Sequence, residues 1–173
     1  MAHLNALLAP PTAGGDSVDW ADIERTTGLR FPTDYRAFVE SYGGGEIDDH
    51  LAISTPPVAG SPYGDLLDGS NPALRDQDRE ELRLLLPGEP LPSLVPFAAA
   101  GSDIALWVCE GVPDDWRVVV YRRQTPWGES SWTLFDGGMV SFVVALLTGA
   151  LGGAFSDSPP ADMPHSFRSW RAA

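Results

Sequence analysis

The sequence is poor in the residue types that form cross-links and metal centres. It holds a single cysteine, Cys109, which excludes an internal disulfide and a cysteine-rich zinc site. A chain of this kind is typical of the reducing cytoplasm, so we expect a cytoplasmic protein. Cys109 follows a run of apolar residues, and we expect it to be a small, buried side chain of a strand.

Long hydrophobic runs are absent as well. No apolar stretch approaches the roughly 20 residues that a helix needs to cross a bilayer. No basic segment precedes the short apolar run near the N-terminus, so we expect no signal peptide. What the chain does hold is 43% hydrophobic residues, with six Trp, seven Phe and four Tyr. That composition and a length of 173 residues are typical of one globular domain.

Lysine is missing altogether. All eleven basic residues are arginines, and they stand against 24 carboxylates, which leaves a formal net charge of −13. Such a chain is repelled by the phosphates of nucleic acids and by anionic membranes, so we expect neither as a partner. It would attract a basic protein and speed their encounter. Acidity can equally serve solubility alone, so the charge restricts the kind of partner without requiring one.

Two helices are predicted near the start of the chain. The first covers Ser17 to Thr27, with Asp16 or Ser17 as its cap, and Gly28 can end it in the left-handed conformation. The second runs from Thr33, its expected cap, to Tyr42. Its apolar side chains recur at i, i+3, i+4 and i+7, which predicts one buried face: Tyr35, Phe38, Val39 and Tyr42.

The glycines from Gly43 to Gly45 are expected to end the second helix. Because they follow a helix and not a strand, they do not fit a phosphate-binding loop. Ile47 to Ile53 is predicted to be one strand, in which Asp48 and His50 would share a face. A loop over 56–64, rich in proline and glycine, leads to a helix predicted from Pro72 to Leu86.

The second half of the chain is predicted to be a β-meander closed by a helix. Its predicted strands are short and separated by turn residues: Leu94–Ala98, Ile104–Cys109, Trp116–Arg122 and Trp132–Asp136. The closing helix runs from Met139 to Thr148, with Gly149 as its cap. Helices followed by such strands predict the α+β class, an antiparallel sheet of about four to six strands covered by helices.

Three segments are predicted along the chain. Residues 1–15 are expected to be a flexible arm. Residues 16–151 form the α+β domain, and 152–173 a Pro- and Gly-rich extension that docks on it.

The residues of the first two predicted helices resemble a family signature, that of the SUKH superfamily of the Smi/Knr type. The matching positions are Trp20, Ile23, Glu24, Gly28, Leu29, Phe31, Pro32, Asp34, Tyr35, Phe38, Tyr42, Gly43, Gly44 and Gly45. Later segments of the chain also match the family pattern, and in the same order: Val95-Pro96-Phe97, the strand from Trp116 to Val120, and the helix residues Phe142, Val143, Leu146 and Leu147. Phe31 departs from the commoner leucine, and the Pro-rich 56–92 segment is longer than usual.

The resemblance implies an α+β fold that acts through protein contacts. Bacterial members are frequently cytoplasmic immunity proteins that neutralise a cognate toxin, and fungal relatives regulate cell-wall assembly. No catalytic residues are established for the family. Several motif residues also have structural explanations without any ligand, as caps, core side chains and helix stops: Trp20, Glu24, Gly28, Pro32, Tyr35, Phe38, Gly43 and Gly44.

Two acidic groups are candidate contacts for a partner. The first holds Glu46, Asp48, Asp49 and His50. Its carboxylates and imidazole are also metal ligands, so a metal-dependent enzyme is an alternative, while a solvated strand edge is the simplest interpretation. The second group holds Asp114, Asp115 and Trp116. Acids beside an aromatic ring can bind Arg or Lys of a partner, although such a turn can also be plain solvated surface.

No established catalytic motif is present in the sequence. Two of the three histidines, His3 and His165, fall in predicted tails. We therefore expect no catalytic residue, no metal and no cofactor. The expected function is a non-catalytic protein-binding module, an immunity protein against a basic toxin. A regulatory scaffold of the cell-wall type is the main alternative, and a metal-dependent enzyme that uses Asp48, Asp49 and His50 is the other.

Overall fold

The computed structural model describes residues 1–57, 74–88, 90–158, 161 and 163–171. Its helices are α1 (Ala2–Leu7), α2 (Trp20–Thr27), α3 (Thr33–Tyr42), α4 (Asp76–Leu85) and α5 (Met139–Leu147). Its strands are β1 (Gly45–Ile47), β2 (Leu51–Ile53), β3 (Ser93–Ala100), β4 (Asp103–Cys109), β5 (Arg117–Tyr121), β6 (Trp132–Phe135) and β7 (Phe167–Ser169), and a 3-10 turn covers Pro113–Asp115. None of the described helices has the length and apolar character needed to span a bilayer.

The seven strands form one antiparallel sheet in the order β6-β5-β4-β3-β2-β1-β7. The predicted α+β class is therefore confirmed, with one strand more than the upper end of the predicted range. β7, which sequence patterning did not predict, pairs with β1 at the edge of the sheet. The strands predicted in the second half occur with bounds shifted by one or two residues.

Both faces of the sheet are buried, because alternate side chains of its central strands enter different cores. Ala105 and Trp107 of β4 point into the main core, which α1, α3 and α5 cover. Leu106 and Val108 point into a smaller core on the other face. Leu82 and Leu86, from α4 and the residue after it, close that second core. Because successive side chains of a strand point to opposite faces, the sheet separates the two cores. The protein therefore has three layers: the helices over the main core, the sheet, and α4 over the smaller core.

Acidic side chains from distant parts of the chain cap two helices. Thr33 was expected to cap α3, but its side chain does not; instead the Asp114 carboxylate accepts hydrogen bonds from the Thr33 N–H at 2.6 Å and its hydroxyl at 3.0 Å. The Asp34 carboxylate accepts from the Val140 N–H at 2.9 Å, in the first turn of α5. These bonds satisfy backbone donors that a helix leaves unpaired at its start.

The cap predicted for the first helix is wrong. α2 begins at Trp20, later than predicted, and Asp19 caps it by accepting from the Asp22 N–H at 3.0 Å. Asp16 is buried instead and accepts from the Gly44 N–H at 2.9 Å. Its role is to hold the chain that enters β1 and not to start a helix.

The N-terminal segment differs from the flexible arm that was expected. It includes α1, and the side chains of Leu4 and Leu8 are fully buried in the main core. The Tyr42 hydroxyl donates to the Leu8 carbonyl at 2.6 Å. A local pattern of a few apolar residues does not reveal this packing, since it depends on α3 and α5 being in place.

Residues 45–53 form a tight hairpin and not the single strand that was predicted. Asp48 and Asp49 both have φ of 54°, and the His50 N–H donates to the Ile47 carbonyl at 3.0 Å. Positive φ at both central residues is the mark of the type I′ turn that joins hairpin strands. Asp48 and His50 therefore lie in a turn, and the prediction that they share one face of a strand is wrong.

The region from 56 to 86 is only partly described. α4 begins at Asp76. Pro72, the predicted start of this helix, and most of the predicted 56–64 loop lie outside the described residues.

The cap that Asp34 supplies to α5 gives a stability prediction. Asp34→Ala removes the acceptor for the Val140 N–H and should lower the free energy of unfolding by about 1 kcal/mol. Glu40→Ala, which removes an exposed acid from the same helix, should change it by less than about 0.5 kcal/mol. Urea titrations of both variants measure the difference, and equal losses would show that the cap contributes nothing.

Candidate functional site

The hairpin between β1 and β2 carries the first predicted acidic group. Glu46 of β1 lies opposite Arg168 of β7 in the register of the two strands. The Arg168 guanidinium donates to Asp49 at 2.7 Å and also to the Glu46 carboxylate. The hydrogen bond that Arg168 donates to Asp49 and the charge of Glu46 raise the pKa of Arg168 above its usual range. Two of the four predicted contact residues are thus paired with the chain's own C-terminal strand.

The other two members of this group face the same segment. The Asp48 carboxylate accepts from the Ser166 N–H at 2.8 Å and contacts the His165 ring nitrogen Nδ1 at 2.7 Å. The His50 Nε2 atom lies 2.6 Å from the Asp157 carbonyl. In the described part of the chain, no three His, Cys, Asp or Glu side chains form a group able to hold a metal ion. The hairpin acids therefore hold the C-terminal segment in place.

The three residues of the second predicted group have different roles: one caps a helix, one is buried in the core and one is on the surface. Asp114 is bonded to Thr33, and those hydrogen bonds lower the pKa of its carboxyl below the usual range. Trp116 is only 6% exposed, and its ring lies 6.2 Å from that of Trp107 in the main core. The expectation of an aromatic surface beside two acids is corrected, because the ring points inward. Asp114 and Asp115 are both exposed.

The structure does not bring the two acidic groups together. Neighbouring strands of the sheet run in opposite directions, so successive connections alternate between its two ends. The β1–β2 turn lies at one end, whereas the 3-10 turn between β4 and β5 lies at the other. A single small ligand cannot contact both groups.

The family-motif residues fix α2 and α3 on the main core. The Trp20 ring lies 5.9 Å from that of Phe31 and 6.0 Å from that of Tyr35. Phe38 stacks on Tyr42 at 4.7 Å. The other motif residues lie at helix boundaries or on a helix surface. Gly28 and Gly43 follow α2 and α3, each with φ of 72°, and Pro32 precedes α3. The Gly44 N–H donates to the Asp16 carboxylate, and Glu24 is exposed on α2.

A surface that sequence patterning did not single out lies on the opposite face of the sheet. An open groove of about 570 Å³ runs between α4 and the loop that joins β5 to β6. Trp127 and Leu84 line this groove; Trp127 is fully exposed and Leu84 is 86% exposed. We call it the Trp127 groove; its other lining residues are Gln77, Glu81, Leu85, Gly128, Glu129 and Ser130. The one sequence signal was a tryptophan within a polar turn, at Pro126-Trp127-Gly128.

Asp78 attaches α4 to the sheet beside this groove. Its buried carboxylate accepts from the Tyr121 hydroxyl at 2.8 Å and from the Arg75 guanidinium at 2.9 Å. Its backbone carbonyl accepts from the Trp132 indole N–H at 2.9 Å. The hydrogen bond from Arg75 is the main reason that the pKa of Asp78 lies below its usual range.

An antiparallel sheet with helices on both faces defines an α+β domain. The SUKH_6 family model, described as SMI1-KNR4 cell-wall, matches residues 18–134, well over half of the chain. The protein therefore belongs to the SUKH superfamily, as the opening motif indicated. The matched region includes both acidic groups and Trp127. No curated protein and no solved structure matches the chain.

The role of Asp78 predicts how stability depends on pH. Asp78→Asn should lower the free energy of unfolding at pH 7 by about 2 kcal/mol, because it removes hydrogen bonds to a charged acceptor. The folded pKa of Asp78 lies below the unfolded one, so its contribution is complete above the unfolded pKa and is lost as the pH falls through the folded pKa. The variant should therefore lose less stability than the wild type on acidification.

Denaturant titrations from pH 7 down to pH 3 test this expectation. Asp115→Asn, which changes an exposed acid, is the matched control and should follow the wild-type curve. Parallel curves for Asp78→Asn and the wild type would contradict the assigned role.

Proposed function

We propose that this protein is a non-catalytic immunity protein that binds and neutralises a basic protein toxin in the cytoplasm. The observation that carries the proposal is the SUKH match over residues 18–134, since bacterial members of this superfamily frequently have that role. A scaffold that presents surfaces on a rigid sheet suits such a function, because binding requires preorganised contacts and no chemistry.

The charge of the chain supports a basic partner. The net charge of −13 without any lysine produces a field that accelerates association with a cationic protein and repels nucleic acids and anionic membranes. A toxin must be intercepted before it reaches its target. Electrostatic steering raises the association rate and so favours that outcome.

The environments of Cys109 and His165 support binding over catalysis. Burial raises the pKa of the Cys109 thiol to about 12, which keeps it protonated and poorly nucleophilic at neutral pH. The Nε2 atom of His50 contacts a backbone carbonyl, and both ring nitrogens of His165 contact oxygen atoms of Asp48 and Leu147. The His165 imidazole, which is engaged on both sides, therefore has no free nitrogen for general base catalysis.

A regulatory scaffold is the second candidate function. It is favoured by the cell-wall description of the matching family model. A scaffold of this kind would bind a resident protein of the cell and would have no effect on the survival of a host that expresses a toxin. The two functions therefore differ in a measurable consequence of binding.

The proposed function predicts rescue of growth. Each protein encoded beside this chain's gene is expressed in a bacterial host, with and without the chain. We expect one basic product to stop growth alone and to be tolerated when the chain is present. The two proteins should co-elute, and their association rate should fall at least about tenfold between 50 and 500 mM salt.

Three outcomes would contradict the proposal. Toxic neighbouring products that the chain neither binds nor neutralises would exclude the immunity role. A stable complex with a non-toxic resident protein would favour the scaffold. A change in the mass of the toxin after incubation with the chain would show that protection is catalytic.

A further inference from the structure

Trp127 is unusual among the six tryptophans of the chain because its side chain is fully exposed. Trp107, Trp116 and Trp132 are buried to 6% exposure or less. Four large apolar side chains are strongly exposed among the described residues, and two of them, Leu84 and Trp127, line the same groove. Neighbouring exposed apolar side chains are typical of an interaction site, whereas single ones are common on any surface.

A hydrogen-bonded turn carries Trp127. The Glu129 N–H donates to the Pro126 carbonyl at 3.1 Å, and Gly128 has φ of 89°, as the third residue of a type II turn requires. Trp127 therefore occupies the second position of a closed turn. At the base of the loop, the Arg122 N–H donates to the Ser131 carbonyl at 2.8 Å.

The loop is also attached to α4 across the groove. The Glu81 carboxylate of α4 accepts from the Ser131 N–H at 3.0 Å, and the Trp132 indole donates to the Asp78 carbonyl. Both walls of the groove thus belong to one hydrogen-bonded unit. A tryptophan presented by a preorganised surface loses little entropy on binding, which is a property of interface hot spots.

The charge of the groove indicates the chemistry of its partner. Among the residues that the structure describes, its ionisable lining residues are Glu81 and Glu129, and none of its lining residues is basic. Arg122 lies 3.6 Å from the Glu129 carboxylate, which stays 55% exposed. Arg79 and Arg83 also belong to α4 but do not line the groove. A Lys or Arg side chain can pair with these acids and lie over the indole face.

We propose that the Trp127 groove binds a segment of a partner protein that carries arginine or lysine beside apolar side chains. The choice of a basic partner rests on the proposed function. A second copy of this chain fits less well, because both copies would carry a charge of −13 and would bring the same acidic groove together.

The first test uses a defined probe and needs no toxin. A synthetic 16-residue helical peptide with leucines on one face and arginines on the other is titrated into the full chain labelled with ¹⁵N. Trp127→Phe assigns one of the indole N–H signals to Trp127. We expect that signal to shift, while the signals of Trp107 and Trp116 in the main core stay in place. A peptide with Glu for Arg should produce no shift.

Variants of the groove and matched controls measure its contribution. The double variant Leu84→Ala, Trp127→Ala should bind the arginine peptide at least about tenfold more weakly, as the loss of a hot spot does. Val112→Ala and Met163→Ala, which truncate the other two exposed apolar side chains, should stay within about twofold of the wild type. Unchanged thermal unfolding of each variant shows that the fold is retained.

Three results would overturn the proposal. The first is peptide binding that shifts signals of the hairpin residues 45–50 and leaves Trp127 unaffected. The second is the absence of peptide binding. The third is a dimer in sedimentation measurements that Trp127→Ala dissolves, which would assign the groove to a second copy.

The same double variant separates this proposal from the proposed function. If the wild-type chain protects against a toxin and the double variant protects equally, the toxin binds elsewhere and the groove proposal fails while the immunity role stands. If no neighbouring toxin is neutralised but the peptide binds at Trp127, the immunity role fails and the groove remains a binding site.

Discussion

The contact between Trp107 and Tyr35 joins the helical half of the chain to the sheet. Trp107 is fully buried in β4, and the Tyr35 ring of α3 meets it edge-on at 4.8 Å, while Phe97 lies at 4.6 Å. The Tyr35 hydroxyl reaches the Ser54 carbonyl after β2 at 2.7 Å. Because aromatic rings provide much of the buried apolar area, this cluster determines where α3 lies. The hairpin that follows α3 depends on that position.

Many acidic residues form hydrogen bonds with other parts of the same chain. Asp34 and Asp114 cap helices, Asp16 and Asp78 are buried acceptors, and Asp48 fixes the C-terminal segment. The buried carboxylates of Asp16 and Asp78 replace their lost hydration with hydrogen bonds, which is the condition for burying such a group without a large penalty. The net charge is therefore a poor guide to where a partner binds. A carboxylate that is buried against its internal partners, as those of Asp16 and Asp78 are, is less available to another protein.

Local patterns predicted the elements that local forces determine. The stripe from Tyr35 to Tyr42 and the short runs between turn residues that form β4 and β5 are local features. All three elements lie within one residue of the predicted bounds. α1, β7 and the roles of the acids could not be read in this way. Arg168 pairs with Glu46 across 122 positions and with Asp49 across 119. Such pairs are products of the folded chain, and one sequence does not reveal them.

The family-motif residues and the proposed binding groove lie on opposite faces of the sheet. The motif residues pack on the main core beneath α2 and α3, whereas the Trp127 groove lies over the smaller core that α4 closes. Leu84 and Trp127 contribute little to that core, because their side chains are exposed. Substitutions at these two positions therefore change what the groove binds at little cost to folding stability. A domain built in this way keeps one fold while its binding specificity changes, since the residues that select a partner are separate from those that hold the sheet.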